Sequence, residues 1–172
     1  MKNRIIIGLV AAVLMVALLP SAVFAAKPVP FSAGGGVTGI SDGTVFPAGK
    51  SGRWVVVERD ITGVLSGDIE GSFDLTYKAN VEMATQAGNL HGTMTVDDYV
   101  LNVNGSIQPF ELVPISSIIF LPKLTISGHW NFISGAEGTG EFTAWAIFVP
   151  TPDGHVAFIV ASEFTMTGQW QQ

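Results

Sequence analysis

Between Ile69 and Met83 the chain alternates without exception. Ile69, Gly71, Phe73, Leu75, Tyr77, Ala79, Val81 and Met83 share one parity, and Glu70, Ser72, Asp74, Thr76, Lys78, Asn80 and Glu82 share the other. A strand turns successive side chains to opposite faces, so this period of two sets an apolar row against a core and a polar row in water. A helical period of 3.6 would mix the two sets. The run exceeds the usual strand of about five or six residues, and such length suits a tilted barrel stave or a curved sheet.

The same signal recurs downstream. Leu90, Gly92, Met94 and Val96 alternate with Asn89, His91, Thr93 and Thr95, and Asp97-Asp98 marks a turn. Tyr99, Leu101, Val103, Gly105 and Ile107 form the next apolar row, and Leu124, Ile126, Gly128, Trp130 and Phe132 the one after. Turn-forming clusters at Gln86–Asn89, Ser134–Gly138 and Pro150–Gly154 separate the runs, so neighbours in sequence pair antiparallel. With Arg53–Glu58 and Ile61–Ser66 the strands number about eight. Phe110–Leu121, interrupted by Pro114 and Ser116-Ser117, reads as a long connection holding one short strand or helical turn. The expectation is an all-β, single antiparallel, roughly eight-stranded up-and-down barrel over residues 53–172, with a sandwich as the alternative. Closure removes edge strands, and Gly71, Gly92, Gly105, Gly128 and Gly140 suit curved staves. A face carrying Glu70, Asp74, Lys78 and Glu82 could not meet lipid, which argues against an outer-membrane barrel.

Ahead of this domain, Met1–Arg4 is cationic, Ile5–Leu19 is apolar apart from Gly8, and Pro20 ends the run. Val23 and Ala25 fit the −3 and −1 sites of a signal-peptidase cut, which places residues 1–25 as a signal peptide. The alternative is an uncleaved membrane anchor over residues 5–26, the chain's only expected route to a membrane. Either way the chain is exported, to the periplasm, the cell surface or the medium. Residues 26–52, rich in Pro and Gly, read as a flexible leader, and Gly34-Gly35-Gly36 as a linker because no helix follows.

Composition narrows the chemistry. Eight basic against 14 acidic residues give a net charge of −6, and loss of Lys2 and Arg4 would take it to −8. Such a chain cannot neutralise a run of phosphates, so no nucleic-acid partner is expected. The absence of cysteine excludes disulfides, thiolate-held metals, a lipobox and a thiol nucleophile. His91, His129 and His155 have no metal-ligand spacing, and by pattern all point outward. No nucleophile elbow, phosphate loop or catalytic triad context is present, so no cofactor, metal or catalytic residue is assigned. Tyr77 lies on an apolar parity, and Glu58, Glu141 and Glu163 are the carboxyl groups that a lumen could hold as a general acid.

Two late strands are apolar on both faces. The readings place Phe142, Ala144, Ala146, Phe148, Ala157 and Ile159 at a self-association interface, giving a homo-oligomer, with cover by Ile118–Leu121 or the leader of the same chain as the alternative. Phe73, Leu75, Tyr77, Met94, Trp130 and Phe132 are the lumen candidates for a small apolar ligand.

Ser66-Gly67-Asp68-Ile69-Glu70-Gly71 before a long strand, then Gly92, Gly105, Gly128 and Gly138-Thr139-Gly140-Glu141-Phe142, resembles the glycine pattern of exported bacterial allene-oxide-cyclase-like barrels. Gly52-Arg53-Trp54 is similar to the opening of lipocalins and related calycins, although no arginine follows Arg59. The first resemblance implies a cyclase or isomerase, the second a carrier of small apolar molecules. The residues themselves favour an exported binding module, then a self-associating surface protein, then the enzyme.

Overall fold

The computed structural model describes residues 27–49, 51–151 and 156–171. The export segment and His155 lie outside the described residues. Ten strands form: β1 (Val29–Ile40), β2 (Thr44–Ala48), β3 (Trp54–Gly67), β4 (Gly71–Glu82), β5 (Gly88–Val96), β6 (Tyr99–Ile107), β7 (Glu111–Pro114), β8 (Phe120–Ser134), β9 (Glu137–Pro150) and β10 (Val156–Gln171). Eight of them close an antiparallel barrel in the order β1-β3-β4-β5-β6-β8-β9-β10, with β10 pairing back onto β1.

The other two strands extend broken staves. β1 lies along Ile61–Gly67 of β3, and β2 continues its line along Trp54–Glu58. In the same way β6 lies along Ile126–Ser134 of β8, and β7 continues along Phe120–Lys123. Both extensions point to one rim, called upper here. The lower rim is where the chain enters β1 and leaves β10, Val29 facing Trp170.

The staves are strongly tilted. Ser41 donates its N–H to the Asp60 carbonyl at 2.9 Å. From Asp60 a row of partners runs through Thr76, Thr93, Asn102, Asn131, Thr139 and Gln169, and returns to β1 at Pro30. A row that leaves a stave at one end and returns at the other needs long strands, which is what the unbroken alternation supplies. Every side chain of this row beyond the return is polar and exposed or half-exposed, so the middle of the barrel meets water.

The opposite parity fills the interior. Leu65, Phe73, Met94, Val96, Leu101, Val103, Trp130, Phe142, Phe164, Met166 and Trp170 are buried in one cluster. The Trp130 ring lies 4.7 Å from that of Phe31 and 5.4 Å from that of Phe132. Its Nε1–H donates to the carbonyls of Glu141 at 3.1 Å and Thr167 at 3.2 Å, which fastens the core to β9 and β10.

One sequence expectation needs correction. Residues 29–40 are not a flexible leader; they are the stave that closes the barrel. Phe31 and Ala33 are buried in the core, and Gly35 lets β1 approach β3 more closely than a side chain permits. A Cβ on Gly35 would stand 1.8 Å from the Val64 carbonyl oxygen. Connection 110–121, by contrast, does hold one short strand, β7.

Candidate functional site

All six lumen candidates face inward, but they divide into two groups. Phe73, Met94 and Trp130 are 2 %, 0 % and 1 % exposed and interlock with the core, so they fill the barrel rather than line a space. Leu75, Tyr77 and Phe132 pack against that cluster and are only half-buried. Above them, toward the upper rim, the inward positions Val57, Val81, Leu124, Ile126, Ala144 and Phe148 also stay half-buried. The lower half of the barrel is thus packed solid; toward the upper rim Ala79, Leu90 and Ile107 are buried as well, and the partly exposed inward residues around them form the wall called the cup below.

The floor of the cup is polar. Arg59 on β3 and Tyr77 on β4 are direct cross-strand partners on the inward face. Arg59 is 7 % exposed and is the buried charged side chain among the described residues. Burial pushes the Tyr77 phenol above its ordinary value, and the nearby Arg59 guanidinium partly offsets this. The phenol therefore keeps its proton at neutral pH and remains a donor. The turn between β1 and β2 folds over this point: Gly43 has φ of +63°, and a Cβ there would meet Arg59 Cγ at 2.3 Å. Opposite Tyr77 stands Gly92, where a Cβ would press on Tyr77 Cβ at 2.9 Å.

Sequence reasoning overlooked Arg59. The signal was present, since Arg59 shares parity with Val57, Ile61 and Leu65 on β3. The carboxyl candidates fall outside the barrel. Glu58 pairs with Lys78 at 2.7 Å on the outer face, Glu163 accepts the Trp145 Nε1–H at 2.9 Å, and Glu141 is exposed. No carboxyl group among these can act as an acid in the lumen, and of the four candidates for an enzyme Tyr77 alone faces inward.

On the outside, β5, β6, β8 and β9 form an open trough of about 660 Å³. Its walls are Asn89, His91, Asn104, Ser106, Ser127, His129, Glu141 and Thr143, and its floor runs along Gly105 and Gly128. His91 and His129 are exposed, as their parity indicated. In register they flank Asn104 from either side, and His129 stands beside Glu141. No group of three metal-ligating side chains occurs among the described residues.

The proposed interface set is also corrected. Phe142 is 5 % exposed and belongs to the core, and Ala144 packs against it, so neither can meet a partner. Register decides this, because Phe142 faces Gly128 and Met166, both on inward parities. Ala146 shares that inward side. Phe148 packs its ring against Phe110 with centroids 5.6 Å apart, and Ile159 is half-buried opposite Phe148. Only Ala157 of the six is exposed. Exposed apolar surface instead gathers at the tip of β7–β10, on Leu112, Ile115, Ile118, Ile119, Phe120, Phe158 and Val160.

Compared with protein-family models, with curated proteins and with solved structures, the chain matches none.

Proposed function

We propose that this protein is an exported binding module that takes a small, mainly apolar ligand into the upper half of its barrel. The observation that carries the reading is the half-exposed apolar wall of the cup above a solid core, ending on Tyr77 and Arg59. Apolar walls supply affinity through area removed from water, and a few convergent donors fix orientation. A phenol O–H and a guanidinium both donate to oxygen, so the ligand best suited has an apolar body with one hydroxyl, carbonyl or carboxylate end.

A titration with cis-parinaric acid, a long-chain carboxylate whose emission rises in apolar surroundings, tests this. Saturable binding is expected, weakened at least tenfold in Ala144→Trp, where an indole fills the cup, and weakened less in Arg59→Met. Circular dichroism on each variant shows that the barrel persists. No saturable binding, or binding that Ala144→Trp leaves unchanged, would overturn the reading.

A further inference from the structure

Above the closed barrel, β7, the first half of β8, the second half of β9 and the first half of β10 continue as a projecting four-stranded sheet. β1 pairs with β10 only as far as Gly35 opposite Phe164, so Val156–Ala161 has β9 on one side and no stave on the other. β7 pairs with β8 alone. The segments 112–122, 144–150 and 156–162 carry no charged side chain. At the tip Ile118 is 85 %, Leu112 66 %, Phe120 and Phe158 57 %, and Ile119 50 % exposed, with Ile115 and Val160 close behind. Over side chains of roughly 150–200 Å², Leu112, Ile115, Ile118, Ile119 and Phe120 of the β7–β8 hairpin leave about 500 Å² of apolar surface exposed, while Phe158, opposite Val149, lies on the other face of the sheet. A patch of this size stands at the upper end of what a monomer exposes and marks a contact surface.

We infer that this projecting sheet is the contact surface for a second copy of the same chain, tip against tip about a two-fold axis. The area argues for it: one partner of a standard stable interface contributes about 800 Å², somewhat over half of it apolar, and the β7–β8 hairpin holds about 500 Å² of apolar surface. The charge-free run 112–122 also suits a self-complementary contact, since two copies of this acidic chain can meet there without placing like charges of that run opposite each other. A lipid bilayer fits less well. The sheet has two open edges, and unpaired backbone groups are not carried into hydrocarbon. The chain's own residues 1–26 join the barrel at Lys27, at the lower rim, the end opposite the tip.

The test is the mass of the full-length expressed protein by sedimentation equilibrium at micromolar concentration. Twice the monomer mass is expected, falling to the monomer in Leu112→Glu/Ile118→Glu with circular dichroism unchanged. Because the chain has no cysteine, Ile118→Cys and, at the lower end, Ser72→Cys give clean single sites for a short bismaleimide. Cross-linked dimer from the first and none from the second supports the tip contact even if the double variant fails to fold. A monomeric wild type overturns the inference, and flotation with phosphatidylcholine vesicles that Leu112→Glu/Ile118→Glu abolishes would assign the tip to lipid. A monomer that dimerises only when residues 1–26 are removed would assign the tip to that segment and equally overturn it.

Discussion

Replacing Trp130 by Phe separates a filled barrel from a hollow one. The indole is 1 % exposed, touches Phe31 and Phe132, and shares its N–H between two backbone carbonyls. Phenylalanine keeps an aromatic ring there but removes the donor, at a net cost of about 1 kcal/mol. It also removes part of the ring from a site that cannot collapse freely, because Gly168 and Gly140 already lie against it: a Cβ on Gly168 would be 2.8 Å from Trp130 Cζ2. Roughly 40–60 Å² of lost apolar burial at about 25 cal/mol per Å² adds about 1–1.5 kcal/mol. The expected destabilisation is about 2–3 kcal/mol, which at a urea m-value near 2 kcal/mol per M lowers the midpoint by about 1 M. Far-UV circular dichroism reads the transition without depending on tryptophan emission. Trp145→Phe is the internal control: that indole bonds the exposed Glu163 and lies under Lys123, so its loss should cost under about 1 kcal/mol. Equal midpoint shifts in the two variants would refute the claim that Trp130 fastens a solid lower core.

Gly35→Ala should open the β1–β3 seam, since its Cβ has no room beside Val64. A loss of about 3 kcal/mol or more is expected, and a thermal midpoint within 2 °C of wild type (about 0.5 kcal/mol for a domain this size) would contradict it. Tyr77, with its pKa raised, contributes stability that is intact below its ordinary value near 10 and is lost as pH rises through the raised folded value. Urea midpoints between pH 8 and 11.5 should therefore fall in wild type and flatten in Tyr77→Phe; parallel curves would show that the phenol is not buried in the cup. Glu82 behaves oppositely: bonds from the Thr85 hydroxyl and from Arg53 hold its carboxyl below the ordinary range. Its contribution is present above that range and lost as pH falls through the lowered value, so NMR titration should show the Glu82 pKa rising in Arg53→Ala, and no change would refute the pairing.

Alternation is a local property, and what depends on it was legible in the chain. The 69–83 run became β4 with its turns, Asp97-Asp98 became the β5–β6 turn, and Phe73, Met94 and Trp130 turned inward as their parity required. Arg59 was equally legible by parity, but its charge masked it, because a buried arginine runs against composition alone. Other features had no local signal. Three successive glycines read the same as a linker or as a stave, and only the contact of Gly35 with Val64, about 30 residues away, makes a seam too tight for a side chain there. In β9 both parities are apolar, so nothing near Phe142 states which side is the core; its pairing with Gly128 and Met166 does. Thus the sequence determined strands, turns and the facing of every clearly alternating residue, because a period of two is set by neighbouring peptide units. Closure by β1, the solid lower half, the polar floor of the cup and the projecting tip were decided only by tertiary structure, because each depends on which distant strands pair and where their pairing stops.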